Sequence, residues 1–177
     1  MKYMKIVLAG LVAATLLTTT ALAATTNETL FQPDQWTMSL AGSGTIQTES
    51  PSDAAIGATL SLGRKVQVVI PSELGVRQTV AWADVNQGST WAFNTTLYND
   101  WRIVKVGNVE ILAGARIGTT YGNTPMTWAG GPEAEVRLWM KKDVYTFVRG
   151  AYDFAFSNSG INSKDAVTLT VGVGFSF

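Results

Sequence analysis

Residues 166–177 read AVTLTVGVGFSF and alternate without a break between two kinds of side chain. One set is apolar and ends in aromatic rings: Val167, Leu169, Val171, Val173, Phe175 and Phe177. The other set is small or polar: Ala166, Thr168, Thr170, Gly172, Gly174 and Ser176. Because the side chains of a β-strand point alternately to its two faces, this period of two predicts a strand. One apolar face and one small polar face are typical of a wall between lipid and a polar barrel interior.

The same alternation recurs along the chain and gives eight predicted strands. They cover residues 35–46, 54–63, 74–84, 90–103, 109–121, 128–140, 144–156 and 166–177. Segments of 10–14 residues suit a tilted membrane strand, which needs about 9–11 residues in the hydrocarbon, whereas soluble strands average about 5–6. We therefore predict an all-β fold, an eight-stranded antiparallel up-and-down transmembrane β-barrel with both termini at the same end. Residues 64–73 are long and apolar for a connection, and the second strand could extend into them.

The N-terminus has the pattern of an export signal. Lys2 and Lys5 precede an apolar stretch at 6–17, and Ala21 and Ala23 form a small-residue cleavage site. We expect a cleaved signal peptide at 1–23, a linker at 24–34 and the barrel at 35–177. An uncleaved anchor helix is the alternative.

The composition limits the chemistry. Charged residues make up 15% of the chain, whereas a soluble surface usually carries about 25–35%. Removal of Lys2 and Lys5 leaves 11 basic and 13 acidic residues, so there is no basic surplus for nucleic acid. The chain contains no Cys and no His, which excludes disulfides, a histidine base and a His- or Cys-ligated metal. We expect no cofactor, no metal site and no enzymatic activity.

Aromatic side chains on the predicted apolar face fall near the two strand ends. Near the end opposite the termini lie Trp82, Trp91, Tyr121, Trp128, Phe154 and Phe156. Near the end with the termini lie Trp36, Trp101, Phe175 and Phe177. Two such belts are expected of a barrel that crosses a bilayer, because amphipathic rings favour the headgroup level. The alternative is that they are core aromatics of a soluble barrel.

The polar face carries a balanced set of charges. Its members are Arg77, Asp100, Glu110, Arg116, Glu133, Glu135, Arg137, Arg149 and Asp153. Because an eight-stranded barrel is filled by its own side chains and unpaired buried charges are costly, we expect a salt-bridge network that plugs the lumen. A narrow polar path for ions or small solutes and a catalytic pair of Glu133 and Glu135 are the alternatives. Pro132 lies within the sixth strand and predicts a bulge or kink beside Gly130 and Gly131.

With its signal sequence, its eight strands, the segment GGPEAEV at 130–136 and the ending GFSF at 174–177, the chain resembles small eight-stranded outer-membrane barrels of Gram-negative bacteria. These are the porin-family or OmpA-like barrel domains. The resemblance implies an outer-membrane location with lipid, periplasmic chaperones and the barrel assembly machinery as partners. It also implies that Val171, Val173, Phe175 and Phe177 are the assembly signal.

The fold does not fix the function. The sequence favours a structural outer-membrane barrel that contributes to envelope integrity or small-solute permeability. A narrow pore for ions or small solutes and a secreted soluble barrel for an apolar ligand are the other hypotheses.

Overall fold

A computed structural model describes residues 33–48, 54–67, 70–85, 88–123, 126–156 and 165–177. The expected signal peptide and almost all of the expected linker lie outside these residues. The described part contains eight strands and no helix that could span a bilayer. The strands are β1 (Trp36–Gln47), β2 (Ala54–Gln67), β3 (Pro71–Val85), β4 (Gly88–Val106), β5 (Val109–Gly122), β6 (Thr127–Lys141), β7 (Val144–Ala155) and β8 (Ala166–Ser176).

The strands form one closed antiparallel barrel in chain order, which confirms the predicted fold class. Each strand pairs with its neighbours in the sequence, and β8 returns to pair with β1, where Leu40 lies opposite Val173. The start of β1 and the end of β8 lie at one end of the barrel, which we call the terminal end. The opposite end, where β1–β2, β3–β4, β5–β6 and β7–β8 are joined, is the loop end.

The predicted strand ends lie close to those in the structure, but the first hairpin at the terminal end is longer than predicted. β2 continues to Gln67 and β3 begins at Pro71, because the ladder extends from Arg64 opposite Leu74 to Gln67 opposite Pro71. Most of the residues assigned to a connection at 64–73 are therefore strand. This extension adds Lys65 and Glu73 to the wall of the barrel.

Of the bulge or kink predicted at Pro132, the bulge is wrong. Gly130 pairs with Phe154 and Glu133 pairs with Ala151, so the register between β6 and β7 is the same on both sides of the proline. Pro132 has no N–H to donate, and pairing with β7 is interrupted there. Pairing with β5 continues through Ala115 opposite Pro132 and holds the register. The register shifts lie elsewhere, between Arg102 and Val104 and between Trp139 and Lys141.

The apolar face is on the outside of the barrel. In β1, Met38 and Leu40 are exposed, whereas Thr37 and Ser39 are buried. The side chains predicted to form two belts are exposed on the exterior: Trp36, Trp82, Trp91, Trp101, Tyr121, Trp128, Phe154, Phe156, Phe175 and Phe177. This is the reverse of a water-soluble protein and is the distribution that a bilayer requires.

Gln78, Thr95 and Asn99 are among the polar residues that interrupt the apolar exterior, and Tyr121 contacts two of them. Thr95 Oγ1 donates to Gln78 Oε1 at 2.6 Å, and Gln78 Nε2 donates to the Tyr121 hydroxyl at 3.3 Å. That hydroxyl also lies 3.1 Å from Thr95 Oγ1. Tyr121 is thus directed along the wall toward these groups. The third polar residue, Asn99, lies on β4 opposite Leu74.

Candidate functional site

The interior of the barrel is the candidate site, because it brings together charged residues from β3 to β7. All nine of the residues predicted to face the lumen lie on this face. Seven of them are buried: Arg77, Asp100, Glu110, Glu133, Glu135, Arg137 and Arg149. Arg116 and Asp153 lie nearer the loop end, and their side chains are 12% and 19% exposed. Lone charges at such positions would be costly, so each needs a partner.

Arg77 on β3 lies at the centre of one group. Its Nη1 lies 2.7 Å from both carboxylate oxygens of Glu133, and its Nη2 lies 2.8 Å from Asp100 Oδ2. The guanidinium also stacks on Tyr98, with Cζ 3.5 Å from the ring centroid. One cation therefore holds two carboxylates and an aromatic ring from β4 and β6.

Arg137 on β6 organises a second group. Its Nη1 donates to Glu73 Oε2 at 2.7 Å, and its Nε donates to Glu135. Arg149 on β7 pairs with the other oxygen of Glu135. The cross-strand positions explain these contacts, since Glu135 lies directly opposite Arg149 in the β6–β7 ladder.

Tyr98 joins the two groups. Its hydroxyl donates to Glu73 Oε1 at 2.8 Å, while its ring lies against Arg77. Toward the loop end, Arg116 pairs with both carboxylate oxygens of Asp153, and its Nη1 lies 3.9 Å from Glu133. A continuous chain of polar contacts thus crosses the lumen from Arg149 to Asp153.

Glu110 lies near the terminal end, directly opposite Arg137 in the β5–β6 ladder. Its Oε2 accepts a hydrogen bond from Trp139 Nε1 at 3.1 Å, and its Oε1 lies 4.0 Å from Arg102.

Sequence analysis missed several interior residues. Lys65 and Glu73 were assigned to a connection, although they continue the alternation of Ser61 and Arg77 to the inward face. The inward aromatic side chains of Tyr98, Trp139 and Tyr145 were also missed. Each lies an even number of residues from an inward charged residue on its own strand, and this alternation indicates that it faces the interior.

The interior is closed in its terminal half and partly open in its loop half. Inward residues near the terminal end, such as Thr37, Ser61 and Ser176, are buried. Inward residues near the loop end, such as Thr45, Ala81 and Thr168, are half-buried.

The geometry does not favour a catalytic carboxylate pair. Glu133 is held by Arg77, and Glu135 is held by Arg137 and Arg149. In the described ranges no cluster of three or more acidic side chains is placed to hold a metal ion. Most large apolar side chains lie outside, and the described interior is occupied by the ion pairs and by the buried side chains of Leu112, Trp139, Tyr145 and Phe147. This argues against a secreted barrel with an apolar ligand.

No protein-family profile matches the sequence, and a search of curated proteins found no relative. Solved structures with a similar fold are small eight-stranded barrels of the outer membrane. The chain therefore has the fold of a small outer-membrane β-barrel.

Three of these structures are the following. Neisserial surface protein A is 12% identical, with a TM-score of 0.67, and the match covers 81% of this chain and 97% of that one. OprG of Pseudomonas aeruginosa is 9% identical, with a TM-score of 0.53, over 85% and 99% of the two chains. Ail, the attachment invasion locus protein of Yersinia pestis, is 12% identical, with a TM-score of 0.50, over 82% and 100%.

Proposed function

We propose that this protein is a non-catalytic structural barrel of the outer membrane that contributes to envelope integrity and does not conduct solutes. One observation carries the proposal: buried ion pairs cross the lumen between β3 and β6 inside a wall whose exterior is apolar. Separation of Arg77 from Glu133, or of Arg137 from Glu73, would leave charges unpaired in a confined space, which is costly.

A narrow ion pore is the second candidate, and the loop half of the interior favours it. Arg116 and Asp153 are partly exposed there. Neutral hydroxyl groups line the wall nearer the loop end, such as Thr45 Oγ1 and Thr168 Oγ1, which lie 3.1 Å apart. A pore would require that the deeper pairs around Arg77 rearrange, whereas the structural role requires that they stay in place.

The proposed location rests on the fold and on the exterior of the barrel. Outer-membrane lipid is the partner that the exposed aromatic belts fit. The proposal also includes delivery by periplasmic chaperones and insertion by the barrel assembly machinery, with Val171, Val173, Phe175 and Phe177 as the signal. This part is supported by the apolar, aromatic-ended outward face of β8.

A gene deletion in the source bacterium tests the envelope role. We expect the deletion strain to become more sensitive to detergents and to large antibiotics, and expect wild-type complementation to restore resistance. Uptake of small hydrophilic solutes should not change. Slower uptake with unchanged detergent resistance would contradict the structural role and favour the pore. Density-gradient fractionation of the complemented strain tests the location separately.

A further inference from the structure

The seam where the barrel closes, between β1 and β8, differs from the rest of the wall. Neither strand contains a charged residue. The ion pairs described above all belong to β3–β7. Inward side chains at the seam are small, as at Ser39 opposite Gly174 and Ala41 opposite Gly172. The seam is therefore held by its backbone ladder, by a few side-chain hydrogen bonds, and by the packing of Tyr145 over Gly174 and of Ala41 with Trp139 and Phe147.

At the terminal end, a basic side chain from β2, which is neither of the two seam strands, reaches this seam. Lys65 of β2 is completely buried, and its Nζ donates to Ser176 Oγ at 2.9 Å and to Gln35 Oε1 at 3.1 Å. Ser176 Oγ in turn donates to Gln35 Oε1 at 3.0 Å. The ammonium also lies 4.8 Å from the centroid of the Trp139 ring on β6. Lys65 thus ties the first and last residues of the wall together.

The backbone converges on the same point. The Asp34 N–H donates to the Lys65 carbonyl, and the Lys65 N–H donates to the Gln35 carbonyl, both at 2.8 Å. Trp36 and Phe177 exchange two hydrogen bonds of 2.9 Å. Asp34 has a φ of 66°, a left-handed conformation that is uncommon outside glycine. This turn places Gln35 beside Lys65, one residue beyond the Trp36–Arg64 pair of the β1–β2 ladder.

We propose that Gln35, Lys65 and Ser176 form a latch that holds the β1–β8 seam closed at the terminal end. A separated edge would expose backbone groups that lipid cannot satisfy, so the place where the sheet closes needs a lock of its own. The ion pairs of the charged network lie on β3–β7, and the network contacts β1 through a hydrogen bond between Glu73 and Thr37. We therefore expect loss of the latch to open the seam locally at the terminal end and to leave the ion pairs in place.

Amide hydrogen exchange of the folded chain in detergent micelles tests the latch. In Lys65→Met, which keeps the length of the side chain but removes its donors, we expect the Trp36 and Phe177 amides to exchange about tenfold faster. That factor corresponds to the loss of a hydrogen bond to a charged group. Amides in the middle of β4 and β5, such as Leu97 and Ile117, should keep their wild-type rates.

The matched control removes a hydrogen bond at the other end of the same seam. Thr45→Val loses the contact with Thr168, and its effect should stay at the loop end. Ser176→Ala is a milder latch variant that decides the outcome if Lys65→Met does not fold. It should accelerate exchange at the same two amides by a smaller factor. Unchanged rates at Trp36 and Phe177, or an equal acceleration in all eight strands, would overturn the latch.

Discussion

Loss of Arg77 would take the cation away from two buried carboxylates. Its guanidinium holds Glu133 and Asp100 and lies on the ring of Tyr98, and its own side chain is only 3% exposed. Arg64 makes a comparable ion pair of 3.0 Å with Asp34, but the two side chains are 51% and 77% exposed. Because solvent screens the exposed Arg64–Asp34 pair and not the buried pairs of Arg77, loss of the arginine should affect stability much more at Arg77 than at Arg64.

The first prediction compares these two arginines. Arg77→Ala should lower the free energy of unfolding by about 3–5 kcal/mol, because two buried carboxylates lose their cation. Arg64→Ala should change it little. Urea unfolding of the chain folded in lipid vesicles, followed by tryptophan fluorescence, measures both. Equal effects of the two substitutions would show that the interior pairs do not stabilise the barrel.

A second prediction concerns the space beneath Tyr98. Gly75 on β3 faces inward, and a Cβ atom there would meet the Tyr98 side chain and the Leu62 carbonyl. Gly75→Ala should therefore displace Tyr98 from Glu73 and destabilise the barrel by about 1–3 kcal/mol. Gly42→Ala on the exterior is the control, because nothing lies within 4 Å of the position its Cβ would take. The same urea titration checks both variants, and a Gly75→Ala barrel as stable as Gly42→Ala would contradict the packing described here.

At the scale of the strands, periodicity predicts most of the fold. All eight strands were predicted in order, because their outward residues are apolar and their inward residues are small or polar. The prediction failed where this contrast disappears. The run from Val66 to Ile70 is apolar at every position except Gln67, so the phase of the alternation cannot be read there. The bulge predicted at Pro132 failed for a different reason. Pairing with β5 holds the register of β6 although the proline has no N–H to donate.

The third prediction concerns the C-terminal strand. Phe177→Ala should reduce the amount of protein in the outer membrane, because it removes the terminal aromatic side chain of the proposed assembly signal. The substitution keeps the two backbone hydrogen bonds between Phe177 and Trp36, so the seam itself should be preserved. Immunoblots of fractionated membranes measure the level.

Phe156→Ala is the control for this prediction, because Phe156 is also an exposed aromatic residue but lies at the loop end. Both purified variants should still refold in detergent. An equal loss of Phe156→Ala from the membrane, or a normal level of Phe177→Ala, would contradict the assembly role of the last residue.

At the scale of the whole molecule, the charge balance of the interior was predictable, but the ion pairs that cross the lumen between non-adjacent strands were not. Alternation places Arg77, Glu133 and Glu135 on one face, because that depends only on their phase within a strand. Which arginine meets which carboxylate depends on the shear of the closed barrel and on side chains that cross the lumen. Arg77 and Glu133 lie on β3 and β6, and their contact cannot be read from the pairing of adjacent strands.

The central claim is that the ion pairs close the lumen. Single-channel recording of the refolded wild-type chain in a planar lipid bilayer tests it most directly. Flotation of lipid vesicles that carry the same refolded chain shows insertion independently. The account predicts no conductance steps from the wild-type chain. The double variant Arg77→Ala/Arg137→Ala should give cation-selective steps, because it removes two bulky cations and leaves Glu73, Asp100, Glu133 and Glu135 along the path. Discrete, reproducible steps from the wild-type chain would contradict the account and assign the protein to the narrow pores.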